Sequence, residues 1–333
     1  MVRVIPILFI LLLSPAMESK MHVYSRSGYE ITALTSDQKK PLIEKLDEEV
    51  IKITQHAGTE QPFCGTLLDN KKEGFYACVV CGLPLFSSEH KFNSGTGWPS
   101  FYTPFSSEHV ITRSDESLGV QRTEILCARC DAHLGHVFND GPKPTGHRYC
   151  LNSVSLKFYE DGEELPPSSK PVDSETAYFA AGCFWGVEHW MQQGVGVINV
   201  QSGYMQGNEE NPTYKEVCSG TSGHAESVKV VFDPKVISYR TLVEAFFKLH
   251  DPTQVNQQGP DIGSQYRSGI WTVSNEQEEI ANKVVDDLSK LKKFTSDIAT
   301  QIESAKTFFI AEDAHQDYIQ KTGRRCHVTN PWK

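Results

Sequence analysis

The 333-residue chain has no excess of positive charge, no internal repeat and no low-complexity tract. A formal net charge of -10 argues against bulk nucleic-acid binding, which needs a basic face to displace phosphate counterions. Beyond one apolar run near Met1, no segment is long and apolar enough to cross a bilayer, so stable membrane insertion is not expected. Nine cysteines at 64, 78, 81, 127, 130, 150, 183, 218 and 326 make an odd, widely spread set, which does not look like a disulfide framework. What remains is a soluble composition and a length sufficient for two ordinary domains.

The apolar run is Ile5-Pro6-Ile7-Leu8-Phe9-Ile10-Leu11-Leu12-Leu13 behind a single basic residue, Arg3. This is the shape of a signal peptide over residues 1–20, and it points to a secreted, periplasmic or secretory-pathway protein. The other reading is initiation at Met17 or Met21 and a cytoplasmic protein. No cysteine follows the run to carry a lipid thioether.

Thr35-Ser36-Asp37 is expected to cap one helix running to Gln55 and closed by Gly58. From Gly74 to about Glu160 the pattern turns to short strands with Gly/Pro turns: 75–77, 120–126 and 151–159. Leu165-Pro166-Pro167-Ser168-Ser169-Lys170-Pro171 can continue neither periodicity and is the expected domain boundary. Beyond it, strands at 176–180, 197–200, 226–232, 269–273 and 307–310 alternate with helices at 184–192, 239–249, 275–291 and 313–321. The expected fold is two domains: a mainly-β, zinc-containing domain, then an α/β helix-on-sheet sandwich.

Cys78-Val79-Val80-Cys81 and Cys127-Ala128-Arg129-Cys130 are two C-x-x-C knuckles. Each sets two thiolates on one turn, and together they supply four soft ligands for one closed, structural zinc. A redox role is the competing reading, but neither pair opens a βαβ helix as a thioredoxin-like pair would.

Two further thiols stand out. In Ala180-Ala181-Gly182-Cys183-Phe184-Trp185-Gly186, a strand gives way to a helix at Cys183. Unpaired N–H groups and the macrodipole at a helix start stabilise a thiolate, which would lower the thiol pKa and activate the nucleophile. A buried structural cysteine fits the same window. Cys150, in Gly146-His147-Arg148-Tyr149-Cys150-Leu151-Asn152-Ser153, follows a run holding His133 and His136. It reads either as an activated thiol or as an inert core residue among satisfied histidines.

The second half resembles the A-type peptide methionine sulfoxide reductases. The likeness runs through Gly182-Cys183-Phe184-Trp185-Gly186, Asn211-Pro212-Thr213-Tyr214-Lys215-Glu216-Val217-Cys218, Gly223-His224-Ala225-Glu226 and Gly259-Pro260-Asp261-Ile262-Gly263-Ser264-Gln265-Tyr266-Arg267-Ser268. The first half resembles the B type through both knuckles, Ser94-Gly95-Thr96-Gly97-Trp98-Pro99-Ser100-Phe101, the His133/His136 run and Arg148-Tyr149-Cys150-Leu151-Asn152-Ser153. The resemblance implies a B-type domain over 30–162, a linker over 163–174 and an A-type domain over 175–333. It also implies reduction of methionine sulfoxide in oxidised proteins and peptides through a cysteine sulfenic acid and an intramolecular disulfide. The disulfide is recycled by an external thiol, thioredoxin or a similar dithiol, with no organic cofactor.

By the same resemblance, the A half takes the S epimer with Cys183 as nucleophile. Glu226 is the acid, its pKa raised by burial enough to keep a proton for the sulfoxide oxygen. Tyr214 and Tyr266 are hydroxyl donors, Asp261 is polar lining, and Phe184 and Trp185 hold the methyl group. The B half takes the R epimer with Cys150, assisted by His133, His136 and Asn152, with Trp98 as methyl wall and Arg148 beside the thiolate. Many B-type enzymes carry a resolving cysteine where this chain has Thr96; Cys64, in Pro62-Phe63-Cys64-Gly65, stands where some members place an alternative one and is assigned that role by the resemblance, and Cys326, past the last helix, is assigned it for the A half. Cys218 is left as a bystander. Two other readings stand beside this one: a non-enzymatic zinc-ribbon interaction protein with a degenerate reductase domain, and a general thiol-disulfide oxidoreductase.

Overall fold

The computed structural model describes residues 22–117, 119–324 and 327–333. Segment 1–20, expected as a signal peptide, both alternative starts and Cys326 lie outside the described residues.

The first half is built on two antiparallel sheets. Strand Gly74–Cys78 lies between Pro84–Ser87 and Leu156–Glu160. A six-stranded sheet runs in the order Lys91–Phe92, Ser100–Phe101, Arg148–Leu151, His133–Phe138, Arg122–Cys127, Val110–Asp115. Tyr76, Leu83, Leu85, Phe86, Phe101, Ile125 and Leu134 are fully buried in their shared core, with three of the four knuckle cysteines and the fourth close behind at 5 % exposure.

The second half is a six-stranded mixed sheet in the order Gln301–Ser304, Ser268–Thr272, Glu175–Ala181, Ala225–Phe232, Val197–Met205, Phe309–Ile310. All neighbours are antiparallel except Ser268–Thr272 and Gln301–Ser304, which run parallel. Helices Phe184–Met191, Tyr239–Leu249 and Asn275–Lys290 contribute Phe184, Val187, Leu242, Phe246 and Val284 to a core with Phe179, Val228 and Ile270. This is the helix-on-sheet arrangement that the alternating periodicities predict.

Four elements differ from expectation. The helix expected over 37–55 is two, Ser36–Ile43 and Glu48–His56. Pro41 removes a donor from the first, and Asp47 adopts the extended N-cap conformation that starts the second. The second helix ends in a left-handed Ala57 at φ 51°, ahead of Gly58. The strand expected over 151–159 is broken by a 3-10 turn at Ser153–Ser155, because the Ser153 and Val154 amides donate to the Glu60 carboxylate instead of to a ladder. The helix expected over 313–321 shrinks to Tyr318–Thr322, with left-handed Asp317 before it giving its N–H to Glu188 at 2.9 Å. The strand expected over 307–310 is only Phe309–Ile310.

A strap at residues 22–31 touches both halves. Tyr24 donates its hydroxyl to Asp233 at 3.0 Å, and the Arg26 guanidinium meets Asp317 at 2.7 Å. On the other side, the Arg26 amide donates to Glu108, and the Ser25 and Ser27 hydroxyls lie 2.9 and 3.1 Å from Nε2 of buried His109. Val172 of the linker donates to Gly28, so strap and linker meet.

Candidate active sites

Strand Glu175–Ala181 ends in Gly182, whose φ of 86° is the left-handed turn that a glycine takes without strain. Cys183 follows as the N-cap of helix Phe184–Met191, half-buried. The first helical amide, that of Phe184, donates to Glu226 Oε2 at 3.0 Å, and Glu226 is 1 % exposed on the neighbouring strand. Cysteine and carboxylate thus meet at one helix start. Phe184 is fully buried, and Trp185 stands in front of it, partly exposed. Tyr214 stacks on both rings, with centroids 6.3 Å away in each case. Tyr266 enters from the 3-10 turn Ser264–Tyr266, and Asp261 from the hairpin strand Asp261–Ile262. Burial pushes both tyrosine hydroxyls well above their ordinary range, so both remain protonated donors at neutral pH.

The sequence reading missed a second wall. His315 lies 4.2 Å from the Tyr214 ring centre, accepts from Trp185 Nε1 at 3.2 Å, and has its pKa lowered by burial. Tyr318 stacks on Trp185 at 3.8 Å. Glu312 accepts from the Tyr204 hydroxyl at 2.8 Å and from the Tyr214 amide at 2.9 Å. The available signal was the density of ionisable and aromatic groups from Glu312 to Tyr318, which a helix assignment absorbed. Cys218, expected as a bystander, lies near the Tyr214 hydroxyl, and burial raises its thiol.

In the first half, Cys150 lies on strand Arg148–Leu151, paired with Ser100 on one side and His136 on the other. With Trp98, His136, Asn152, Thr59 and Arg122 it lines a cavity of about 100 Å³. Thr96 Oγ1 is 3.8 Å from Cys150 Sγ. Burial raises the Cys150 thiol, against the opposing pull of Thr96, the Arg148 charge and Ser100. The resting group is therefore mostly the thiol. Arg148 is itself held by a two-point contact with Asp140, both distances 2.9 Å, and packs over Phe138 at 4.4 Å.

Both histidines are oriented by carboxylates that the sequence did not single out. His133 Nδ1 lies 2.7 Å from Glu124, and His136 Nε2 lies 2.7 Å from Asp115, which also binds Arg122. Burial lowers the His136 pKa and Asp115 opposes it. Asn152 is 3 % exposed and donates to the Leu134 carbonyl. Cys64 is exposed, and its neighbour Phe63 donates its amide to Gly97, the residue after Thr96.

Cys78, Cys81, Cys127 and Cys130 place their four sulfurs within 4.8 Å of one another, with Cys78 to Cys130 and Cys81 to Cys127 each at 3.5 Å. A tetrahedral metal with bonds of about 2.3 Å needs sulfurs about 3.8 Å apart, so the donor set fits.

Fold and sites together define a protein with two separate thiol centres, one in each half. Residues 46–160 match the SelR domain, and residues 175–332 match the peptide methionine sulfoxide reductase family. A peptide methionine sulfoxide reductase MsrB of Caulobacter vibrioides is 53% identical over 142 residues, 43% of this chain and 89% of that protein. A peptide methionine sulfoxide reductase MsrA of Pasteurella multocida is 51% identical over 146 residues, 44% of this chain and 83% of that protein. A crystal structure of Mxr1 from Saccharomyces cerevisiae in reduced form is 36% identical, covers 48% of this chain and 92% of its own, and gives a TM-score of 0.45. The chain belongs to the peptide methionine sulfoxide reductases, with a B-type domain followed by an A-type domain.

Proposed function

We propose that the N-terminal domain reduces the R epimer of peptide methionine sulfoxide through Cys150, and the C-terminal domain the S epimer through Cys183. What supports the reading is the surroundings of each thiol: a proton donor within its site and an aromatic wall beside it. In the C-terminal site these are Glu226, the Tyr214 and Tyr266 hydroxyls, and Trp185. In the N-terminal site they are His136, Asn152 and Trp98, which line the cavity with Cys150, and His133, which packs against His136 at 5.5 Å. The thiolate attacks the sulfoxide sulfur while the donor delivers a proton to the oxygen. Methionine leaves, and the cysteine holds the oxygen as sulfenic acid. A second thiol displaces that oxygen as water, forming a disulfide, and a dithiol such as thioredoxin returns both thiols. Each cycle thus consumes two thiols and releases one methionine and one water.

Cys64 serves as the resolving thiol of the N-terminal site, since its segment docks beside Thr96, and Cys326 serves the C-terminal site. The four buried knuckle thiols hold one zinc; four sulfur ligands leave no open position for substrate, so its role is structural. The test is turnover of separated R and S methionine sulfoxide peptides with dithiothreitol and with thioredoxin. Turnover of both epimers is expected, and turnover of neither would overturn the reading. Cys64→Ser is expected to keep a single turnover on the R epimer while thioredoxin-driven cycling falls at least about tenfold, the scale of losing a well-placed reacting group. Undiminished cycling would remove Cys64 from the mechanism.

A further inference from the structure

Glu60 is a buried carboxylate, 6 % exposed, that the chemistry above does not use. Its Oε1 accepts the Ser153 amide at 2.7 Å and its Oε2 the Val154 amide at 3.1 Å. Those amides open the turn that follows Cys150-Leu151-Asn152. The backbone of Glu60 reaches two other parts of the site: its N–H donates to Asn152 Oδ1 at 3.0 Å, and its carbonyl accepts from Trp98 Nε1 at 3.2 Å. Four residues on lies Cys64. The segment is seated closely: a side chain at Gly97 would come within 2.9 Å of the Phe63 nitrogen, and one at Gly65 within 2.7 Å of the Glu60 carboxylate.

We propose that Glu60 is a positioning residue for the N-terminal reductase site. Its carboxylate anchors segment 60–64 to the turn after the nucleophile strand. The anchored backbone then orients Trp98 and Asn152 and sets the reach of Cys64 toward Cys150. Two charge-assisted hydrogen bonds to one carboxylate fix both distance and direction, whereas an amide has a single acceptor oxygen and turns its NH2 toward the other N–H. Small misplacements of groups around a reacting centre cost rate steeply. The inference rests on the assignment of Cys150 as nucleophile and Cys64 as its partner.

The test uses the full zinc-loaded chain with Glu60→Gln and Glu60→Asp. For Glu60→Gln, KM for the R epimer is expected to rise roughly tenfold, on the scale of misplaced binding groups. In single turnover, a dione that traps sulfenic acids should label Cys150 several-fold more, because condensation with Cys64 is slowed. Glu60→Asp, which keeps both acceptors on a side chain one methylene shorter, should show both effects at a fraction of their Glu60→Gln size. Zinc content and the S-epimer rate of the same molecules report that the chain is intact. Wild-type KM and wild-type trapping in Glu60→Gln would overturn the proposal. If Glu60→Gln loses zinc, Glu60→Asp decides: an intermediate KM shift with zinc retained supports positioning, and no shift overturns it. Failure of the underlying assignment is read separately, as R-epimer turnover that survives Cys150→Ser.

Discussion

Cys150→Ser is expected to abolish turnover of the R epimer and leave the S-epimer rate unchanged, and Cys183→Ser to do the converse. A serine hydroxyl is far less acidic and less nucleophilic than a thiol, and it cannot pass through the sulfenic acid and disulfide states. The loss should therefore be at least about 10³-fold in kcat, the scale on which removal of a nucleophile acts. Independence follows from packing. The core around Phe179, Phe184 and Phe246 and the core around Tyr76, Phe86 and Phe101 are separate clusters; Phe184, next to Cys183, belongs to the first and Leu151, next to Cys150, to the second. Both changes are nearly isosteric, so neither should disturb its fold. The check is initial rates on pure R and S peptides under dithiothreitol, which bypasses thioredoxin docking. Loss of both activities from either change would mean that the sites are coupled.

Removal of the metal is expected to have a comparably large effect on one half only. Structural zinc sites supply on the order of 10 kcal/mol at neutral pH, about as much as the whole net stability of an ordinary domain. Here the four sulfurs join the two knuckle turns, and all four cysteines lie at or below 5 % exposure inside the core that supports Cys150. Cys127→Ser, or prolonged chelation, should therefore eliminate R-epimer turnover and the thermal transition of the N-terminal domain. S-epimer turnover should survive. Metal analysis should find about one zinc per wild-type chain and none in the variant. A zinc-free variant that kept its R activity and melting profile would refute a structural metal.

What could be read from the chain was what lies close together in sequence. The strand-to-helix junction at Gly182-Cys183 is visible because a short apolar strand pattern meets a helical one there, and the knuckles because each sets two thiols three residues apart. Groups supplied from a distance were hidden. Glu60 breaks the strand after Leu151 from 93 residues away in sequence, and nothing in Asn152-Ser153-Val154-Ser155 announces it. Glu124 orients His133 from the next strand, and Asp115 orients His136 from the strand beyond it. The pairing register is not obvious even in retrospect: Glu124 faces His136 across the ladder yet binds His133. The wall of His315 and Tyr318 was masked by a helix assignment that the Asp317 turn cancels. Side chains that do chemistry were recognisable by type; those that aim them are defined only by the folded topology.

The strap at residues 22–31 bears on how the two reductases can move. Domains joined by a linker alone can swivel in every direction. Here the Tyr24–Asp233 and Arg26–Asp317 contacts add a second mooring to the first, and buried His109 fastens that mooring to the N-terminal half. Arg26 ends on Asp317, whose own amide is tied to Glu188 on the Cys183 helix. The second mooring therefore ends beside Tyr318, on the wall of the Cys183 pocket.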